Sequence, residues 1–109
     1  MNPPTTLPCA FSGLTLELRS RLTCRCPVNK RVDHALVAVT YQPRGVVLTY
    51  EAFFTWLDHN TLREVTHEDV TGQLLAWLVE TVTPQSALVT THWEPVEGVT
   101  VTVSAKHPA

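Results

Sequence analysis

With 109 residues, 44% of them hydrophobic and 17% charged, and a net charge of -2, the chain has room for one domain and the composition of an ordinary water-soluble protein. No apolar run approaches the roughly 20 residues that a membrane span needs, and the start has no basic flank leading into an apolar stretch, so no membrane association and a cytoplasmic location are expected. Three cysteines, two of them the Cys24 and Cys26 of a C-x-C, do not resemble a disulfide framework and fit a reducing compartment.

Residues 1–12 (MNPPTTLPCAFS) are polar and proline-rich and are expected to form a flexible arm ahead of a single domain over residues 13–109. From Leu14 to Leu22, apolar Leu14, Leu16, Leu18 and Leu22 alternate with Thr15, Glu17, Arg19 and Arg21, the period of a half-buried strand. Thr23 to Val32, with Cys26-Pro27 and Asn29-Lys30, reads as a loop. His34 to Gln42 is a second strand, closed by the turn residues Pro43-Arg44-Gly45. Thr49 to His59 has a capping residue at its start and Phe53, Phe54, Trp56 and Leu57 at helical spacing. A second helix starts near Thr66, where Thr66 and Asp69 have capping-box spacing, carries Val70, Leu74, Leu75, Leu78 and Val82 on one face, and stops at Pro84. Ala87 to Glu94 and Val99 to Ala105 alternate again, with Pro95 to Gly98 as the hairpin turn. The ββααββ order predicts an α+β domain, an antiparallel sheet with two helices packed on one face.

Charge is unevenly spread. Six of the eight Lys/Arg residues lie in the first 45 positions, and Arg25, Lys30, Arg31 and Arg44 among them are the candidate nucleic-acid contacts. Such a block is either a solvated strand face or a contact for a polyanion such as nucleic acid, whose binding weakens steeply with salt.

Cys26, in a loop beside Arg25, Lys30 and Arg31, sits where cations favour the thiolate and is a candidate nucleophile; the alternative is a small buried hydrophobe. Cys24 and Cys26 lack the second ligand pair of a zinc site, so no metal is expected. Asp33 is an acid/base candidate or a turn residue hydrogen-bonded to its own backbone. His67, Glu68 and Asp69 open a helix, where the macrodipole already favours acidic side chains.

Taken together, Cys26-Pro27-Val28-Asn29-Lys30-Arg31-Val32-Asp33 resembles the C-P-x-x-x-x-x-D signature of the QueF nitrile reductases of the tunnelling-fold (T-fold) superfamily, and His67-Glu68-Asp69 resembles the H-E-D at the head of that family's second helix. The resemblance runs over roughly residues 14–105. It implies that Cys26 attacks the nitrile carbon of 7-cyano-7-deazaguanine to give a thioimide, that Asp33 moves protons at the nitrile nitrogen, and that His67 and Glu68 hold the base. The reductases also carry an E-S-K-S-hydrophobic-K stretch for NADPH. The matching positions here read Thr49-Tyr50-Glu51-Ala52-Phe53-Phe54, without either lysine, and no glycine-rich loop replaces it. The stretch Tyr41 to Leu48 running into Glu51 and Phe53 is more similar to the QueF-like amidinotransferases of archaeosine synthesis. That resemblance implies ammonia as second substrate, a formamidine product, no redox cofactor, and a tRNA or DNA bearing the nitrile as partner. It also implies a homo-oligomer, commonly two stacked pentamers with sites between subunits. NADPH-dependent reduction, or a non-catalytic T-fold that binds a purine or nucleic acid, are the alternatives.

Overall fold

The computed structural model describes residues 3–109, so the part of the expected arm at positions 1 and 2 lies outside it. Its elements run β1 (Thr6–Pro8), β2 (Leu16–Arg25), β3 (Val32–Gln42), β4 (Val46–Leu48), α1 (Tyr50–Asn60), α2 (His67–Val82), β5 (Ser86–Val96) and β6 (Val99–His107). The four long strands form one antiparallel sheet in the order β2-β3-β5-β6, with α1 against β2 and α2 against β5 and β6. This is the α+β T-fold arrangement expected from the ββααββ order, with both helices on one face.

Strand alternation decides which side chains reach the core. Leu22 and Cys24 of β2, Ala35, Val37, Val39 and Tyr41 of β3, and Ala87, Val89 and Trp93 of β5 point inward and are buried. The intervening His34, Leu36 and His92 face solvent on the uncovered side of the sheet. Against the inward row α2 lays Val70, Leu74, Leu78 and Val82, spaced at three and four residues, and α1 adds Phe53 and Leu57. Truncating a buried leucine such as Leu78 removes about 2–5 kcal/mol, more than the ~1 kcal/mol of a helix cap. Packing therefore fixes where α2 sits, and its cap fixes where it begins.

Both caps form as expected. Thr49 Oγ1 accepts from Ala52 N at 3.2 Å, and Thr66 Oγ1 accepts from Asp69 N at 3.0 Å. Helix α2 stops at Thr83, which is left-handed (φ 44°) and returns its N–H to Val79 O, one residue before Pro84.

Three expectations change. The segment expected to be an arm is tied down where it is described: β1 pairs antiparallel with β4, Thr6 opposite Leu48, and Thr49 Oγ1 donates toward Pro4 O and Thr5 O. Periodicity missed both strands because each has only three residues. The loop between the first two strands is shorter than expected, since β2 runs on to Arg25 and β3 begins at Val32, which puts Cys24 in the sheet. The last hairpin turns at Glu97-Gly98, with Gly98 at φ 84°, and Pro95 lies within β5 where the register shifts between Trp93 and Val96. A proline cannot donate to the ladder, so the irregularity falls where a donor is missing.

Candidate active site

The loop from Cys26 to Arg31 joins β2 to β3 at one end of the sheet. Cys26 N donates to Arg31 O at 2.8 Å, Lys30 N donates to Cys26 O at 2.9 Å, and the Asn29 side chain accepts from Arg31 N at 2.9 Å. To close this turn Lys30 adopts a left-handed backbone (φ 63°), a conformation that L residues other than glycine adopt at a cost. The strain is held in place from several sides. The Arg25 guanidinium donates to Lys30 O at 2.8 Å, and Lys30 Nζ reaches both Pro27 O and the Glu64 carboxylate.

The connection between α1 and α2 runs along the end of β2. Leu62 N donates to Thr23 O, Arg25 N to Arg63 O, and Val65 N to Arg25 O. These bonds bring the start of α2 to the cysteine loop. Cys26, Pro27, Val28, Val65, Thr66, His67 and Glu68 line one cleft of about 180 Å³. Cys26 is half-buried and Glu68 exposed at its mouth. Asp33 is buried at the start of β3, and its Oδ2 lies 3.0 Å from His67 Nε2. The four residues singled out in the sequence, Cys26, Asp33, His67 and Glu68, are thus gathered at one end of the sheet from a loop, a strand and a helix N-terminus.

Cys24 and Cys26 have different environments although they are two positions apart. Cys24 faces the core opposite Asp33 in the β2–β3 register. Burial pushes its thiol up to about 11; the Arg63 guanidinium works against this shift and the Asp33 carboxylate adds to it. Cys24 therefore stays a protonated thiol across the neutral range, while Cys26 opens onto the cleft.

The basic residues are less concentrated than their sequence positions imply. Lys30 is engaged with Glu64 of the α1–α2 connection and Arg25 with the main-chain carbonyl of Lys30. Arg31 is exposed beside the cleft. Arg44 follows the far end of β3, a strand of 11 residues that spans roughly 35 Å at 3.2–3.4 Å per residue, so within one chain it is remote from Cys26. Among the described residues no cluster of three or more His, Cys, Asp and Glu side chains forms a metal-type group. No described helix is long and apolar enough to cross a membrane.

Sequence reasoning missed three residues here. Trp93 stacks on His67 with ring centroids 4.1 Å apart and planes 10° from parallel. Its indole N–H donates to Thr91 Oγ1 at 2.8 Å, and Thr91 Oγ1 lies 2.7 Å from Thr71 Oγ1. A signal existed: Thr71 stands on the apolar face of α2 and Thr91 on the inward row of β5, and a polar residue at a core position needs a partner.

Comparison with known proteins agrees with this geometry. A family model described as "QueF-like protein" matches residues 32–109, a span that holds Asp33, His67 and Glu68 and begins after Cys26. An archaeosine synthase of Pyrobaculum calidifontis is 37% identical over 75 residues, 69% of each chain. An NADPH-dependent 7-cyano-7-deazaguanine reductase of Trichormus variabilis is 29% identical over 85 residues, which are 78% of this chain and 62% of the reductase. The crystal structure of an archaeosine synthase QueF-Like in the apo form superposes with a TM-score of 0.81 at 31% identity, covering 99% of this chain and 98% of that one. With the cleft, the fold and these similarities in agreement, the chain belongs to the QueF-like family.

Proposed function

We propose that this protein converts the nitrile of a 7-cyano-7-deazaguanine base, carried in tRNA or DNA, to a formamidine. The observation that carries the reading is the convergence of Cys26, His67 and Glu68 on one cleft, with Asp33 hydrogen-bonded to His67 at 3.0 Å. In the first step the Cys26 sulfur adds to the nitrile carbon, one C–N π bond becomes an N–H bond with a proton supplied through Asp33, and a thioimide results. In the second, ammonia adds to the same carbon, the tetrahedral adduct expels the Cys26 thiolate, and the amidine leaves. The sum is nitrile plus ammonia to amidine, with no change of oxidation state.

Glu68, at the mouth of the cleft, accepts from the donor edge of the base, and His67 lies against the reacting group. Cys24, buried and protonated, takes no part. The absence of both lysines from residues 49–54, the first turn of α1, favours ammonia over hydride as the second reactant. Arg31, exposed and without an ion-pair partner among the described residues, is the contact we assign to nucleic-acid phosphate. A cleft of about 180 Å³ is small beside the usual 300–1,000 Å³ of a ligand site, which fits a homo-oligomer, two stacked pentamers in our reading, in which a neighbouring copy completes the pocket.

The test is to incubate the protein with cyano-modified tRNA or DNA and an ammonium salt and to weigh the released nucleoside. A gain of one ammonia supports the reading. A gain of four hydrogens that requires NADPH would replace it with nitrile reduction, and base binding without any Cys26 adduct would replace it with a binding role.

A further inference from the structure

We infer that Trp93 is a positioning residue for His67 and, through it, for Asp33; the kinetic part of this inference rests on the nitrile chemistry above, and the structural part stands without it. His67 is fixed in three ways. Its ring plane is set by the parallel indole of Trp93, 4.1 Å away. Which edge of the ring faces the strand is set by Asp33 Oδ2, 3.0 Å from Nε2. Its carbonyl accepts from Thr71 Oγ1 at 2.7 Å.

The hydroxyls join these contacts into one chain with a single direction. Thr71 has one hydroxyl proton and gives it to His67 O, so across the 2.7 Å contact between the two threonines it is Thr91 that donates. Having given its own proton, Thr91 accepts the indole N–H of Trp93. Trp93, Thr91 and Thr71 are each at most 2% exposed, and among the described residues no buried side-chain nitrogen or oxygen lacks a partner. No other assignment of these protons satisfies every group, and buried polar groups left unmatched are costly. The indole is therefore locked in the plane that stacks on the imidazole by Thr91, which in turn bonds Thr71, the residue that anchors the backbone of His67.

The consequence falls on Asp33. A carboxylate only accepts, so an ionised Asp33 takes Nε2–H from His67 at Oδ2, and an Asp33 protonated on Oδ1 keeps that same bond. In both states Oδ2 is taken up by the imidazole, and Oδ1 is left for the reacting nitrogen. Tilting the His67 ring would release Oδ2 and let the carboxyl turn. A displacement of about 1 Å in a reacting group can cost about 100-fold in rate.

The experiment compares Trp93→Leu, Trp93→Phe and Thr91→Val with the wild type, by two readouts. The first is the set of His67 ring nitrogen and proton resonances in the free protein, assigned by their loss in His67→Gln. The second is the rate of Cys26 adduct formation with the free nitrile base, set beside the base's dissociation constant. We expect Trp93→Leu and Thr91→Val to move the His67 resonances and to slow adduct formation about 10- to 100-fold with base affinity changed less than about threefold. Trp93→Phe keeps a flat ring but loses the N–H that Thr91 accepts, so it should match Thr91→Val and stay above Trp93→Leu in rate. His67 resonances that stay put in Trp93→Leu and in Thr91→Val overturn the inference, as does an adduct rate that ignores a moved ring. If Trp93→Leu does not fold, Thr91→Val, which preserves side-chain shape, carries the same expectations. If the wild type forms no adduct, the nitrile reading fails and the resonances alone decide whether Trp93 positions His67.

Discussion

The two ends of β3 use their buried polar side chains differently. At the Gln42 end, Tyr41 and Thr49 direct theirs at the main chain: the Tyr41 hydroxyl accepts from Leu48 N at 2.8 Å, and Thr49 Oγ1 meets Ala52 N and the carbonyls of Pro4 and Thr5. At the Val32 end, Arg25, Asn29 and Lys30 also bond to main chain and close the loop, but Asp33 and His67 bond to each other, as do Lys30 and Glu64. Bonds to backbone fix the path of the chain and occupy the side chain that makes them. Bonds between side chains hold groups in place while leaving atoms such as the second Asp33 oxygen for chemistry. In the proposed function, one end of the sheet is architecture and the other is machinery.

Substitutions at the two ends should separate along this line. The largest effect belongs to Cys26→Ala, which should abolish the covalent adduct with a nitrile base, read by intact-protein mass, while leaving the melting temperature within a few degrees because Cys26 is only half-buried. An adduct persisting in that variant would place the nucleophile elsewhere. Next is Asp33→Asn, which keeps the size of the side chain and removes its acid/base capacity; adduct formation should slow by about 10²- to 10⁴-fold in stopped-flow traces. A loss below threefold would make Asp33 structural.

The Cys24 thiol supplies the third effect. Its pKa is raised from 9.0 to about 11 in the folded chain, so ionisation favours the unfolded state. The stabilising contribution of the neutral thiol is complete below pH 9 and is lost as pH rises through 11, by at most about 2–3 kcal/mol. Burial also raises the Tyr41 hydroxyl, which adds a loss of the same sign, so the quantity to measure is the difference between wild type and Cys24→Ala in chemical denaturation from pH 8 to 11. The gap between them should shift in favour of the variant as pH rises, and a gap independent of pH would mean the thiol is reached by water. The smallest effect is at the architectural end. Thr49→Ala should cost about 1 kcal/mol of stability through the lost cap and leave the adduct rate unchanged. A slowed reaction in that variant would erase the contrast between the two ends.

Most of the fold is legible in the chain because β2, β3, β5, β6 and α2 are long enough for their hydrophobic period to repeat several times. β1 and β4 are not, since three residues show no period and their pairing joins positions 38 to 42 apart. The site divides in the same manner. Cys26 and Asp33 are separated by one short loop, and His67 and Glu68 stand together at a capped helix start, so each pair carries a local signature. Thr91 and Trp93 are neighbours on one face of β5, but Thr71 meets them only when α2 lies on that strand. Arg44 shows the reverse: a residue grouped with the loop by charge count that a strand of 11 residues carries to the far end of the sheet.

The amide of Cys26 has one further consequence. In many enzymes that attack a carbon–heteroatom multiple bond, backbone N–H groups beside the nucleophile stabilise the charge that develops on the heteroatom. Here that N–H is already given to Arg31 O at 2.8 Å, inside a turn that needs it to close. The loop that presents the sulfur cannot also serve as an oxyanion-type hole at this amide. In the proposed reaction, charge on the nitrile nitrogen is met by a mobile proton and not by a fixed dipole from Cys26, which leaves no backbone reserve at that amide when Asp33 is lost.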